Sequence, residues 1–219
     1  MNNRRSFITG IKSTKLSTLE KKFLNRYKPW GVILFSRNIQ NIKQTFELTT
    51  SIRKIFNDKK YPILIDQEGG RVNRLKNIIV FDSLTSEFFG KMFLKNYKEF
   101  IFFYKLFIDK TSYLLKSIGV NINTSPVLDL RIKGKSNVIG DRSFSGDPKI
   151  VSKIGDHCIQ YFHQNGIGTV IKHIPGHGLA NVDSHFFTPI ISKNKEYLFK
   201  KDFITFKKKK SFFAMTAHI

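Results

Sequence analysis

The stretch Gly31–Phe35 (GVILF) decides the fold class of this chain. Five consecutive small or apolar residues, followed directly by the polar segment 36–38 (SRN), are typical of a short strand buried on both faces of a sheet. Four further strand-like runs follow along the chain, each preceded by Gly, Pro or a polar boundary. They are Pro62–Asp66, Gly119–Asn123, Gly168–His173 and Phe212–His218.

Helix-like patterns occupy the intervals between these strands. Ser17 and Glu20 are spaced as in a capping box, and Asp147 before Pro148 fits an N-cap followed by a first-turn proline. The predicted helices are 17–28, 42–57, 86–117, 149–165 and 194–206. The long, Phe-rich segment 86–117 fits either one helix or two. Strands that alternate with helices predict an α/β fold with a parallel sheet whose faces are covered.

Composition and length favour one globular domain over residues 1–219. Apolar residues make up 41% of the chain and charged residues 25%, which is close to the profile of globular proteins. A single cysteine, Cys158, provides no internal disulfide and suits a reducing compartment. No apolar stretch approaches the roughly 18 residues of a membrane span, and no apolar segment follows Arg4 and Arg5 as in a signal peptide. We therefore expect a cytoplasmic protein without a membrane span.

The formal charge of +22 is the one unusual feature of the composition. Such a field attracts nucleic acid or an anionic membrane. However, 29 of the 38 basic residues are lysines, Ala occurs only three times, and the abundant residues have AT-rich codons. The lysines are also scattered, and only Lys207–Lys210 form a block. Codon bias explains the charge at least as well as a polyanionic partner, and no specific nucleic-acid partner is expected.

Polar residues cluster directly after the predicted strands, which places a site at their carboxyl ends. The first cluster is Asp66–Arg74 (DQEGGRVNR). A carboxylate at a strand end can accept hydrogen bonds from adjacent sugar hydroxyls, two glycines allow a tight turn, and arginines offer forked donors. A loop held together by internal ion pairs explains the same residues equally well.

Two further clusters carry candidate chemistry. Asp141 and Arg142 lie in the Gly-punctuated loop 138–148, where an ordinary surface turn with an Asp–Arg pair is the simpler interpretation. The segment 172–185 holds three of the six histidines, a lysine and an aspartate. Its proline and glycines exclude a regular helix, so the spacing of His173 and His177 does not favour a zinc pair. Acid–base chemistry is favoured over metal binding, with loop histidines satisfied by the backbone as the alternative.

These clusters resemble the family 3 glycoside hydrolases, specifically the bacterial β-N-acetylglucosaminidases (β-hexosaminidases) of peptidoglycan recycling. The matching stretches occur in family order over about 190 residues. They are GVILFSRNI (31–39), ILIDQEGGRVNRL (63–75), NTSPVLDL (123–130), VIGDRSFSGDP (138–148), KHIPGHG (172–178), DSH (183–185) and MTAHI (215–219). The resemblance implies a (β/α)8 TIM-type barrel, of which this chain holds about the first five strand–helix units.

The resemblance also implies a sugar-binding role for five residues. Asp66 would bind hydroxyls of an N-acetylglucosamine unit, with Arg74 nearby. Arg142 would contact the substrate, as would the adjacent pair Lys172 and His173. The implied substrate is a small carbohydrate, an N-acetylglucosamine-containing muropeptide, and the implied reaction needs no cofactor and no metal.

The implied general acid/base is His185, paired with Asp183. An imidazole with a pKa near 6.5 can protonate the leaving oxygen and later deprotonate water near neutrality. Most glycosidases use a carboxylic acid in this role. A histidine donor avoids placing a second anion beside the nucleophile.

The nucleophile of the family is an aspartate on a later strand, in a motif similar to SDDLS, which no stretch of 1–219 resembles. Retaining hydrolysis needs that group to form the glycosyl-enzyme intermediate. We therefore expect that residues 1–219 alone cannot complete the catalytic cycle. Three explanations fit: an interrupted gene, a separate C-terminal fragment that complements the chain as its partner, or a chain that is one part of a larger enzyme. The alternative function is a catalytically inert, truncated sugar-binding remnant.

Overall fold

The computed structural model describes residues 4–132, 138–180, 190–191 and 193–217. Asp183 and His185 lie outside these residues. Six strands are present: β1 (Arg5–Gly10), β2 (Pro29–Leu34), β3 (Ile63–Ile65), β4 (Ile122–Asn123), β5 (Gly168–Ile174) and β6 (Phe213–Thr216). Six α-helices lie between them: α1 (Thr18–Tyr27), α2 (Ile42–Phe56), α3 (Ser86–Lys95), α4 (Tyr97–Ser117), α5 (Pro148–Gln164) and α6 (Lys195–Lys200).

The strands form one parallel sheet in sequence order, β1-β2-β3-β4-β5-β6. The sheet is strongly curled. This is evident from Trp30 of β2 and Phe213 of β6, whose rings make an edge contact with centroids 5.1 Å apart. In a flat sheet these two strands would be roughly 19 Å apart, four strand spacings. The parallel, helix-covered α/β architecture of a barrel is therefore confirmed.

Polar side chains on the inner face of the curled sheet meet at the carboxyl ends of its strands. Side chains two positions apart on a strand share a face, so β3, β4 and β5 each place an apolar residue low on the inside of the sheet and a polar residue above it. These pairs are Leu64 and Asp66, Ile122 and Thr124, and Val170 and Lys172. The three apolar members form one buried cluster, and the three polar members meet at the carboxyl ends of the strands.

The first strand, β1, was not predicted by the sequence analysis. β1 has the mixed sequence RSFITG rather than an apolar run, and four of its six residues are exposed. It pairs only with β2, so it lies at an edge of the sheet in the described part of the chain. The strand predicted at 212–218 is therefore the sixth strand rather than the fifth, and five strand–helix units precede it.

Local capping residues set the helix boundaries. The capping box of Ser17 and Glu20 is present at α1, and Asp147 caps α5 before Pro148. The segment 86–117 forms two helices, because Asn96 leaves α3 in an extended conformation and its side chain accepts the N–H groups at the start of α4. The predicted helix 194–206 is interrupted: α6 ends at Lys200, and a 3₁₀ turn follows at Phe203–Phe206.

Candidate active site

A buried lysine links the carboxylates at the carboxyl ends of the strands. Lys172 of β5 is 1% exposed, and its ammonium group donates to Asp66 Oδ1 and lies 2.5 Å from Glu68 Oε1. Thr124 Oγ1 donates to the same Asp66 oxygen at 2.9 Å, and Arg74 Nη2 donates to Asp66 Oδ2 at 3.1 Å. The ends of β3, β4 and β5 are thus joined by one hydrogen-bonded network.

Glu68 extends this network to a second loop. Its carboxylate accepts two parallel bonds from Arg142, Nε to Oε2 at 2.8 Å and Nη2 to Oε1 at 2.7 Å. This forked geometry is the strongest pairing that an arginine makes. Arg142 therefore pairs with Glu68 of the loop after β3 rather than with its neighbour Asp141. The simple surface turn with an Asp–Arg pair, which the local sequence favoured, is not present.

The network has more cations than anions. Two carboxylates, Asp66 and Glu68, face Lys172, Arg74 and Arg142. Burial by itself would raise the pKa of Asp66, but the charges of Lys172 and Arg74 hold that pKa well below its ordinary value. Burial would likewise lower the pKa of Arg142, yet its bonds to Glu68 raise it above the ordinary range. Asp66 is therefore held as a carboxylate and Arg142 as a cation near neutral pH. The site contains one more basic side chain than acidic side chains.

The turn after β3 holds Asp66 and Glu68 in place. Gln67 points the other way, and its side-chain oxygen accepts the backbone N–H groups of Arg74 and Leu75. Gly69 has φ 104°, and a Cβ at this position would lie 2.4 Å from the carbonyl oxygen of Leu84. Only glycine fits this turn, which agrees with the predicted tight turn.

Asp129 organises the segment that follows β5. It is fully buried, its Oδ2 lies 2.6 Å from His173 Nδ1, and its Oδ1 accepts the backbone N–H of His177 at 2.7 Å. Burial would raise the pKa of Asp129, but the hydrogen bonds from His173 and His177 lower it. With Nδ1 facing this carboxylate, Nε2 is the ring nitrogen of His173 that remains for another partner.

The structure brings all five predicted sugar-binding residues to the same end of the sheet: Asp66, Arg74, Arg142, Lys172 and His173. The internal ion pairs considered as an alternative for segment 66–74 are also present. The predicted acid/base pair, Asp183 and His185, falls outside the described residues, so its place in this site stays a prediction.

Three side chains that contact the predicted site residues were not named as candidates by the sequence analysis: Glu68, Thr124 and Asp129. All three lie within stretches already singled out, after β3 and β4. The inward period of two could have found Thr124 and Glu68. Asp129 lies in an irregular segment that pairs with Lys172, and no local pattern indicates its contact with His173.

Residues 7–219 match the glycosyl hydrolase family 3 N-terminal domain. The chain belongs to glycosyl hydrolase family 3. Curated relatives in the family include the beta-hexosaminidase of Hydrogenovibrio crunogenus, 36% identical over 201 residues, which cover 92% of this chain and 56% of the relative. The beta-hexosaminidase of Xanthomonas campestris pv. campestris is 30% identical, with coverages of 91% and 59%. The chain thus spans little more than half the length of these relatives.

Solved structures of family 3 proteins share the fold. Native NagZ from Neisseria gonorrhoeae aligns with a TM-score of 0.88 at 28% identity, covering 98% of this chain and 63% of that one. The same protein has been solved in complex with N-trifluoroacetyl-D-glucosamine. A family 3 beta-N-acetylglucosaminidase from Paenibacillus sp. aligns with a TM-score of 0.86 at 27% identity, covering 97% and 40%.

A buried carboxylate, Asp202, is expected to make the stability of this family 3 chain depend on pH. Asp202 packs against Gly176, and neither of its side-chain oxygens has a hydrogen-bond partner among the described residues. Burial and the negative charge of Asp129 raise its pKa to about 6. Because the folded-state pKa exceeds the unfolded value, ionisation of Asp202 destabilises the folded state, and stability is lost as the pH rises through 6.

We expect Asp202→Asn to be more stable than the parent at pH 8, by on the order of 2 kcal/mol. The difference should disappear as the pH falls below the ordinary aspartate pKa of about 3.9, where Asp202 is protonated in both folded and unfolded chains. Urea unfolding at several pH values measures it, and Asp82→Asn, at an exposed aspartate, is the matched control. A variant that is less stable than the parent at pH 8 would contradict the prediction.

Proposed function

We propose that this chain forms the sugar-binding and acid/base part of a retaining β-N-acetylhexosaminidase. The proposed reaction is exo-hydrolysis of terminal β-linked N-acetylglucosamine from peptidoglycan fragments in the cytoplasm, without a cofactor. The observation that carries the proposal is the network in which Lys172 joins Asp66 and Glu68 at the carboxyl ends of the strands. The ligand in the NagZ complex, N-trifluoroacetyl-D-glucosamine, supports the same class of sugar.

Asp66 is built to accept a sugar hydroxyl. An ionised carboxylate has about four lone-pair positions. Among the described residues, Oδ1 accepts from Lys172 and Thr124, and Oδ2 accepts from Arg74 alone. One position on Oδ2 is therefore left for a hydroxyl donor, and the side chain is one-fifth exposed. The charge of Asp66 strengthens such a bond relative to a neutral acceptor.

The arginines supply donors for sugar oxygens. Arg142 gives two of its five N–H groups to Glu68 and one to the carbonyl oxygen of Val138. The other two have no partner in the part of the chain that the structure describes. Arg74 gives one to Asp66, and its Nε has no partner among the described residues. Lys172 gives two of its three N–H groups to the carboxylates, so its main contribution is to hold Asp66 and Glu68 in place.

The chemical steps are assigned to the loop beyond β5. In the proposal, Asp183 orients His185, which protonates the glycosidic oxygen and then takes a proton from water. The nucleophilic aspartate is not among residues 1–219, so the proposal includes a complementing segment that supplies it. Displacement by that aspartate and then by water gives net retention at the anomeric carbon.

Calorimetric titration with N-acetylglucosamine tests the binding half of the proposal. We expect saturable binding, and we expect Asp66→Asn to weaken it at least about tenfold, because the hydroxyl loses a charged acceptor. Asp82→Asn is the matched control, and circular dichroism checks that each variant is folded. Absence of binding by the parent chain, or equal affinity of Asp66→Asn and the parent, would overturn the assignment.

A further inference from the structure

The outer face of the α3–α4 pair exposes an unusual number of large apolar side chains. Phe102 is 64% exposed and Leu106 54%, and Phe103 and Tyr113 are exposed beside them on α4. Phe88 of α3 adds a further exposed ring. An apolar surface of this kind on one face of a protein marks an interaction site more often than scattered single residues do.

A groove of about 380 Å³ lies between the two helices within this face. Its walls are apolar and mostly aromatic, and Lys110 stands at its rim. The lining includes Phe81, Phe88, Met92, Phe103, Leu106 and Lys110. The face therefore combines protruding side chains with a recess of a size that holds part of an acyl chain.

Lysines surround the apolar face without ion-pair partners among the described residues. Lys98 lies one turn before Phe102, Lys110 one turn after Leu106, and Lys116 three residues after Tyr113. Two acidic residues of this region are paired: Asp109 with Lys105 at 2.5 Å, and Glu87 with Lys91 and Arg131. Glu99 of α4 is exposed and has no ion-pair partner among the described residues, but between residues 87 and 116 six lysines outnumber three acidic residues. The rim is therefore positively charged.

We propose that this face, Phe88 with Phe102, Phe103, Leu106 and Tyr113, docks on the surface of an anionic lipid bilayer. Aromatic side chains insert at the headgroup level, and the lysine rim contacts the lipid phosphates. The net charge of +22 draws the protein towards such a surface. None of the described helices has the length and apolarity to cross a bilayer, so the mode is peripheral.

The same charges argue against the other occupants of this face. Two copies of a chain with a net charge of +22 repel each other, and the lysine rims would oppose each other in a symmetric dimer. The continuation of the sheet is also an unsuitable cover. α3 and α4 connect β3 to β4 in the middle of the sheet, away from the edge strands β1 and β6.

Vesicle flotation tests the proposal with vesicles of phosphatidylglycerol and phosphatidylcholine, compared with phosphatidylcholine alone. We expect the chain to float with the anionic vesicles at 150 mM salt. The double variant Phe102→Ser/Leu106→Ser should bind at least about tenfold more weakly, since it removes two inserted side chains. The matched control is Leu19→Ser/Phe46→Ser, which removes two exposed apolar residues from other helices and should bind as the parent does.

A second pair of variants distinguishes the contribution of the lysine rim to vesicle binding from that of the net charge of the chain. Lys98→Glu/Lys110→Glu should weaken binding more than Lys21→Glu/Lys43→Glu, which makes the same change of charge on other exposed surfaces. Equal losses in both pairs, or unchanged binding of Phe102→Ser/Leu106→Ser, would overturn the proposal in favour of unspecific attraction by the net charge. Self-association would replace the proposal if the parent chain eluted as a dimer in size-exclusion chromatography and the variant Phe102→Ser/Leu106→Ser eluted as a monomer.

Discussion

Replacing Lys172 by methionine is expected to lower the free energy of unfolding by about 3–5 kcal/mol. Methionine fills nearly the same volume as lysine, but it removes the buried cation that Asp66 and Glu68 share. The two carboxylates then face each other with fewer compensating charges in a site largely closed to water. Breaking a buried ion pair on one side in this way costs more than the pair contributes when it is intact.

Urea unfolding followed by circular dichroism measures this loss at neutral pH. The matched control is Lys43→Met, at an exposed lysine of α2, which should change the free energy of unfolding by less than about 0.5 kcal/mol. The loss in Lys172→Met should shrink in acid, because Lys172 lowers the pKa of Asp66 and the stability that comes from this shift is lost as the pH falls. A Lys172→Met chain within about 1 kcal/mol of the parent at neutral pH would show that the network does not stabilise the fold.

His185→Ala is expected to reduce hydrolysis by about 10²- to 10⁴-fold, the usual contribution of a positioned general acid. Under the proposed function, the assay combines the chain with a C-terminal segment that supplies the nucleophile and uses a β-linked N-acetylglucosaminide. The loss should be larger for an alkyl leaving group than for 4-nitrophenolate, since a good leaving group needs less protonation. This dependence on leaving group distinguishes lost proton transfer from a general loss of structure.

The matched control for His185→Ala is His163→Ala. His163 lies in the last turn of α5 and contacts Thr169 at the amino end of β5, away from the carboxyl ends of the strands. It should leave the rate nearly unchanged. Hydrolysis that persists undiminished in His185→Ala would contradict the assignment of the acid/base. Sugar binding with no hydrolysis in the combined system would favour the inert sugar-binding alternative.

The sequence predicts those parts of the fold that depend on local patterns. Gly31–Phe35 could be recognised because a strand buried on both faces must be apolar throughout. Asp66 and Lys172 could be placed at one end of the sheet because each follows or ends such a strand. β1 could not be found in this way, because an edge strand needs no continuous apolar run. Asn96 could have predicted the division of 86–117 into two helices, since asparagine favours the N-cap of a helix.

Contacts between distant loops could not be predicted in the same way. Arg142 and Glu68 are 74 residues apart, and Asp129 and His173 are 44 apart. Their pairing depends on how the curled sheet brings the loops together, which no local spacing encodes. For Asp141 the simpler local interpretation was also wrong, because its partner is Arg71 of the loop after β3 rather than the adjacent Arg142.

Locating the binding site of N-acetylglucosamine tests most directly whether the sugar binds at the carboxyl ends of the strands. Titration of ¹⁵N-labelled chain, followed through its amide spectrum, should shift the signals of residues 66–68, 124 and 172–173 most strongly. Amides at the opposite end of the sheet, such as those of Gly31 and Gly168, should change little. Shifts confined to that opposite end, or to the outer face of α3 and α4, would contradict a sugar site at the carboxyl ends of the strands.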